Sequence, residues 1–324
     1  MKIKDEALDI IKKAVDLRAS DVFFMPKEMG VKIDFRINRG VMNYKTLSID
    51  NGSEIINWFK FSAQMDIAEH RRPQNGSMIF EDNEKKYYLR FSSVGDYLGK
   101  ESLVIRIIYS LSESRYFFPE QFEILERLSM KRGLIITSGP TGSGKTTTMY
   151  ELAKRLCKNQ VVMTIEDPVE IHESRFLQSQ VNLSAGISYM ELLKAALRHR
   201  PDILIIGEIR DSETARLAVD AALSGHLVLA TVHAKSTYQT VSRLISLGVG
   251  KVELSNCLTA VSYQRLLAGT NGQKCLLDIG ERDKLFNNEN QNVDKNFFDW
   301  QDNLKMLVKK GEISEEVRSI YQEG

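Results

Sequence analysis

The chain has 324 residues, 43% hydrophobic and 27% charged, a composition that supplies a large core, suggests two domains and excludes disorder along the whole length. Its 44 lysines and arginines nearly cancel 43 aspartates and glutamates, so no overall field selects nucleic acid or an acidic membrane as the main partner. Cys157, Cys257 and Cys275 are far apart and form no Cys-x-x-Cys pair, which excludes a disulfide framework and a zinc site and points to buried, reduced thiols in a cytoplasmic protein. The opening Met-Lys-Ile-Lys-Asp-Glu places acidic residues where a signal peptide needs its apolar stretch, and no run reaches the roughly 18 apolar residues that span a bilayer. Any membrane role is therefore expected to be peripheral.

Ile3, Ala7, Leu8, Ile11, Ala14, Val15 and Leu17 form a helical stripe over 3–19, and segments 21–24 and 31–35 then read as strands. A helix at 53–64 and strands at 77–80, 86–92 and 102–108 extend this unit, a smaller α+β N-terminal domain over 1–112. The polar stretch from Ser110 to Arg115, ahead of Pro119, marks a linker placed at 113–121. From residue 122 to 282 short runs rich in Val, Ile and Leu, at 133–137, 161–165, 203–206 and 227–232, alternate with helical stretches at 145–157, 188–199 and 212–223. That is the pattern of buried, mostly parallel strands wound with helices, an α/β domain. Over 283–324 a helical C-terminal extension is expected: an Asn-rich loop at 287–296, then short helices at 297–310 and 314–322, with Gly311 as terminator and Ser314 as N-cap. There is no internal repeat.

Between the first buried strand and its helix stands Gly139-Pro140-Thr141-Gly142-Ser143-Gly144-Lys145-Thr146, followed by Thr147. Its glycines let the backbone curl so that N–H groups face phosphate oxygens, and the helix beginning near Lys145 adds its positive end. Lys145 is expected to reach the β- and γ-phosphates of ATP and Thr146 to hold Mg²⁺. In an open parallel sheet ligands bind beyond the carboxyl ends of the strands. Three further strands end there in ionisable groups: Glu166-Asp167-Pro168-Val-Glu170, Gly207-Glu208 and His233. Glu208, beside a glycine that leaves it space, is the candidate for polarising the attacking water, Glu166 and Asp167 are candidates for holding Mg²⁺ or its waters, and His233 suits a γ-phosphate sensor. His226 precedes the same strand, about 23 Å away at the rise of an extended chain, and is expected to have a structural or intersubunit role.

The strings Thr164-Ile-Glu-Asp-Pro-Val-Glu170, Arg200-Pro-Asp-Ile-Leu-Ile-Ile-Gly-Glu-Ile-Arg-Asp-Ser-Glu-Thr-Ala215 and Ala222-Leu-Ser-Gly-His-Leu-Val-Leu-Ala-Thr-Val-His233 resemble, in order, motifs of the secretion-ATPase superfamily of type II secretion and type IV pili. They look like its Asp box (Glu166, Asp167), its atypical Walker B with the catalytic glutamate (Glu208) and its His box (His226, His233). The resemblance implies a RecA-like P-loop NTPase domain. It extends to Ala19-Ser-Asp-Val22 and to the strands bearing Arg90 and Arg106, which by resemblance act as arginine fingers. It also implies a homo-hexamer at the inner face of the plasma membrane, driving a polytopic platform protein, with no direct nucleic-acid partner.

Departures from the family narrow the branch. After Gln264-Arg265-Leu266 there is no four-cysteine zinc insertion, and no Ala-Ile-Arg-Asn-Leu-Ile-Arg type helix of retraction ATPases follows. Phe23 stands where the family has a histidine, and Asn38 with Arg39 alters an Arg-x-Asp-Gly turn. Together these features resemble the ATPases that assemble the competence pilus of DNA-uptake systems. A retraction motor, a nucleic-acid translocase on the same core and a nucleotide-binding scaffold remain the alternatives.

Overall fold

A computed structural model describes residues 2–37, 40–83, 85–109, 115–182, 185–286 and 296–324. The chain forms two compact units, Met1–Ser110 and Leu111–Gly324. In the first, α1 (Lys2–Asp16) precedes β1 (Asp21–Lys27), β2 (Gly30–Ile37) and β3 (Gly40–Leu47), and α2 (Ile49–Ser62) precedes β4 (Gln74–Asp82), β5 (Lys85–Gly95) and β6 (Glu101–Ile108). The strands make one antiparallel sheet ordered β3-β2-β1-β6-β5-β4.

Because side chains alternate along a strand, one face of this sheet is apolar. Val22, Phe24, Ile33, Phe35, Leu103 and Ile105 are buried there with Ile10, Ile11 and Ala14 of α1 and Ile55 and Phe59 of α2. The opposite face carries a row of register partners, Arg36, Asp21, Arg106 and Arg90, running across β2, β1, β6 and β5. Arg106 Nε donates to Asp21 Oδ1 at 3.0 Å, and Arg36 Nε lies 3.5 Å from Asp21 Oδ2. Strand β3 is an addition to the sequence expectation. Its apolar Val41 and Met42 are exposed on an edge strand, so no burial pattern announced it.

Residues 115–121, expected as linker, belong to the second unit: Phe117 N donates to Cys275 O at 2.9 Å, and α3 (Pro119–Ser129) starts with proline in its first turn. Residues 113 and 114 of that linker, Asn38 and Arg39, and 287–295 of the expected Asn-rich loop lie outside the described residues. The elements that follow α3 are β7 (Gly133–Ser138), α4 (Lys145–Leu156), β8 (Val162–Glu166), β9 (Leu177–Gln180), α5 (Tyr189–His199), β10 (Ile203–Ile206) and α6 (Ser212–Leu223). Then come β11 (Leu227–Val232), α7 (Thr237–Ser246), α8 (Lys251–Cys257), β12 (Leu258–Gly269), β13 (Gly272–Glu281), α9 (Arg282–Phe286), α10 (Trp300–Lys309) and α11 (Glu315–Tyr321).

The second sheet is ordered β13-β12-β7-β11-β10-β8-β9 and is parallel except for the β12-β13 hairpin. Alternation in its central strands feeds two cores. Leu134, Ile136, Leu204, Ile206, Val228 and Ala230 pack with α5, α6 and α8, while Ile135, Ile203, Ile205 and Leu229 pack with α3 and α4. The expected C-terminal extension is part of this unit, since Trp300, Leu304 and Leu307 of α10 are buried against Tyr263, Leu267 and Leu276 of the hairpin. Gly311 ends α10's turn with φ 69°, and Ser314 caps α11 by accepting from Val317 N. Cys257 and Cys275 are buried and free, and Cys157 is free and half-buried.

Leu229 is fully buried at the centre of β11. Leu229→Ala is expected to cost about 2–5 kcal/mol in urea denaturation of the second unit. A cost below about 1 kcal/mol would contradict a close-packed sheet at that point.

Candidate functional site

Strand β7 enters the site between two parallel neighbours and ends at Ser138, whose hydroxyl accepts from Thr240 Oγ1 of α7 at 2.8 Å. The next residue, Gly139, has φ 140°, and a Cβ there would stand 2.4 Å from Gln264 O, so only glycine lets the loop leave the strand beside β12. The loop then turns into α4 at Lys145 with Gly144 as a left-handed N-cap. Lys145 Nζ donates back to Gly139 O at 3.0 Å and Pro140 O at 2.9 Å. Burial lowers the proton affinity of this ammonium, with Glu208 and Glu170 acting in the opposite sense. It is a desolvated cation held by two weak carbonyl partners, which phosphate oxygens can displace. Thr146 Oγ1 donates to Glu170 Oε2 at 2.8 Å.

Thr141, Gly142, Thr146 and Thr147 line an open cavity of about 610 Å³, a volume in the range of small-molecule sites. Its far side is built from the other strand ends. Past β10, Glu208 accepts from Arg210 Nε at 2.7 Å through Oε2, and its Oε1 lies 3.2 Å from His233 Nε2 beyond β11. Gly207 keeps the site tight, since a Cβ there would come within 3.3 Å of Glu166. Asp167, at the end of β8, faces Arg210 at 3.8 Å.

Glu166 is different, being only 2% exposed. Tyr150 OH of α4 donates to its Oε1 at 2.5 Å and Thr164 Oγ1 at 2.7 Å, while Gln178 Nε2 donates to Tyr150 OH at 2.7 Å. Burial raises the Glu166 carboxyl above its ordinary value, outweighing those hydrogen bonds, and raises the Tyr150 hydroxyl as well.

The sequence-predicted residues thus fall into three groups. Lys145, Thr146, Glu166, Asp167, Glu208 and His233 converge on one cavity. His226 does not: it precedes β11 at the opposite end, with Nδ1 3.0 Å from Ala221 O, a local contact closing α6. Arg90 and Arg106 lie on the sheet of the first unit, in the row already described. The sequence reading assigned no role to Glu170, Arg210, Tyr150, Tyr189, Thr231 or Gln264. Arg210 could have been read from its position two residues past Glu208, whereas Tyr150 looks like one more apolar residue of an amphipathic helix.

Among the described residues no group of three or more His, Cys, Asp or Glu side chains forms a cage for a metal ion. The donor set suits Mg²⁺ arriving with a nucleotide, because that ion keeps several waters and takes most remaining ligands from phosphates. Thr146, Glu166 and Asp167 line the same cavity.

The model of the type II/IV secretion system protein family matches residues 2–302. The chain belongs to this family. It is 41% identical over 312 residues to the competence protein ComGA of Streptococcus pneumoniae, covering 96% of each chain. It is 39% identical over 272 residues to the competence protein ComGA of Bacillus subtilis, covering 82% of this chain and 76% of that one. The crystal structure of the pilus retraction motor PilT with bound ADP matches with a TM-score of 0.76 at 24% identity, over 97% of this chain and 96% of that one, a likeness of fold. Family membership makes the chain an ATPase of the secretion and pilus type. Among the described residues no helix is long and apolar enough to cross a membrane.

Because Glu166 binds its proton more tightly folded than unfolded, its stabilising contribution is full below the ordinary glutamate value of 4.5 and is lost as pH rises through the folded value. Glu166→Gln is therefore expected to lose less unfolding free energy than wild type as pH rises above the ordinary glutamate value. Equal losses in guanidinium titrations would show that the carboxyl is not desolvated.

Proposed function

We propose that the chain is the ATP-hydrolysing motor that powers assembly of a competence pilus or pseudopilus for DNA uptake. It would work as a homo-hexamer at the cytoplasmic face of the membrane, on a polytopic platform protein. The observation that carries this reading is the convergence of Lys145, Glu208 and His233 on one cavity in a chain similar to ComGA over almost its whole length.

Each residue has a step. The loop amides of 142–146 and Lys145 bind the phosphates, Lys145 exchanging the carbonyls of Gly139 and Pro140 for phosphate oxygens. Mg²⁺ would neutralise charge on the phosphates, and Thr146, Glu166 and Asp167 would hold it or its waters. Glu208, beside Arg210 and His233, orients and polarises the water that attacks the terminal phosphorus. His233, which lines the same cavity, would report loss of the γ-phosphate to the loop after β11. Arg90 and Arg106, which the family resemblance marks as arginine fingers, would stabilise charge on the transferred phosphoryl group.

A retraction motor is the second reading, and the sequence likeness disfavours it. The retraction motor PilT shares the fold at 24% identity, whereas ComGA is 41% identical. Deletion of the gene is expected to abolish surface pili and DNA uptake together, while hyperpiliation would reverse the direction assigned. For the chemistry, Glu208→Gln is expected to lower kcat about 10²- to 10⁴-fold with little change in nucleotide affinity. An unchanged kcat would remove Glu208 from its role. Single-stranded or duplex DNA added to the wild-type ATPase is expected to leave its rate unchanged, and stimulation would favour a translocase.

A further inference from the structure

Strand β12 serves two structures at once. Its register with β7 closes at Tyr263 opposite Ser138, so Gln264 runs on just where the phosphate loop begins at Gly139. Beyond that point its even-numbered side chains turn toward the loop. Gln264, fully buried, donates from Nε2 to Ser143 O at 2.7 Å. Leu266 approaches Gly144 and lines the cavity. The backbone of Gln264 is the surface against which Gly139 packs.

The odd-numbered side chains turn to the other face, and residues 296–324 occupy it. Tyr263 meets Phe297 and Trp300 edge to face, with ring centroids 5.2 and 5.3 Å apart. Arg265 donates to Tyr263 OH at 2.9 Å and to Gly324 O at 2.7 Å, with its guanidinium 5.6 Å from the centre of the Tyr321 ring. Leu267 joins Leu304 and Leu307. The same segment grips the element after His233. Buried Asp278 of β13 accepts from the backbone of Phe298 and Asp299 and from Thr237 Oγ1, and Phe298 stacks on Tyr238 of α7 at 4.8 Å.

The polar contact of Gln264 with the loop is incomplete. Gln264 Oε1 and Ser143 Oγ are both buried and have no hydrogen-bond partner among the described residues. The amide is therefore carried by its strand, whose other face packs on residues 296–324.

We propose that Gln264 is a positioning residue for the phosphate loop, and that residues 296–324 are a brace that sets its depth through Tyr263 and Arg265, so that nucleotide affinity depends on how the C-terminal helices are seated. This rests on the loop being the ATP site. It gives a role to a segment of which only residues 296–302 fall within the family match.

The test is the affinity of the full chain for a fluorescent ATP analogue with Mg²⁺, with melting temperature as the control. Gln264→Met removes the donor at similar length and is expected to raise Kd about tenfold, one hydrogen bond's worth. Arg265→Met touches no atom of the cavity and is expected to raise Kd about threefold, with the double variant weaker in effect than the product of the singles because both act through one strand. Arg265→Lys, which keeps a donor, should recover part of the loss. Should Gln264→Met not fold, Gln264→Leu, which also lacks the donor, takes its place. An Arg265→Met protein that melts earlier but binds like wild type would reduce the segment to a passive cap and overturn the proposal, as would strictly multiplicative effects. A wild-type chain that fails to bind the analogue would instead overturn the ATP reading on which this one rests.

Discussion

The pairing of β7 with β11 on one side and β12 on the other is the constraint on which the site depends. It fixes Ser138 from both neighbours, and the two cores hold Leu134 and Ile136 on one face and Ile135 on the other. The loop that follows starts from a rigid point and is held further along by Gln264 of β12, which donates to Ser143 O. Parallel pairing then makes the remaining strand ends arrive on the same edge, so Glu166, Glu208 and His233 need no long excursions to reach it. A meander of the same sequences would have scattered them.

The charges gathered at that edge are arranged as a set of replaceable partnerships. Lys145 is satisfied by two loop carbonyls, Thr146 by Glu170, and Glu208 by Arg210 and His233. Each partnership involves a group that a phosphate, a hydrated cation or a water can replace at small cost, because charge-assisted hydrogen bonds to phosphate are stronger than those to neutral carbonyls. Glu166 is the exception. Its carboxyl is buried under Tyr150 of the helix that carries the loop, so any change in its protonation or ligation is felt directly by α4.

The central strands were legible in the sequence because burial on both faces demands unbroken Val, Ile and Leu runs, and 203–206 matches Ile203–Ile206 residue for residue. The loop and the strand-end carboxylates were legible for the same reason, since a glycine or acid directly after such a run has only one edge to occupy. The C-terminal helices were readable from Gly311 and Ser314. What stayed hidden is instructive. Strand β12 packs a phosphate loop on one side and helices on the other, so its Ser-Tyr-Gln-Arg stretch shows neither alternation nor an apolar run, and Gln264 could be noticed only as part of a motif. Strand β9 has four residues, none buried, and β3 exposes its apolar side chains; neither carries a periodic signal. Tyr150 and Glu166 are 16 residues apart and meet only because α4 folds back over β8.

Hydrogen exchange of the full chain, followed by mass spectrometry with and without Mg²⁺ and a non-hydrolysable ATP analogue, tests the central claim most directly. Phosphates seated on the loop should slow exchange of the amides in 139–147, with smaller effects at Gly207 to Arg210 and at His233, the other walls of the cavity. Exchange of 139–147 that is identical in both conditions, at analogue concentrations that saturate turnover, would contradict a nucleotide site built on this edge of the sheet.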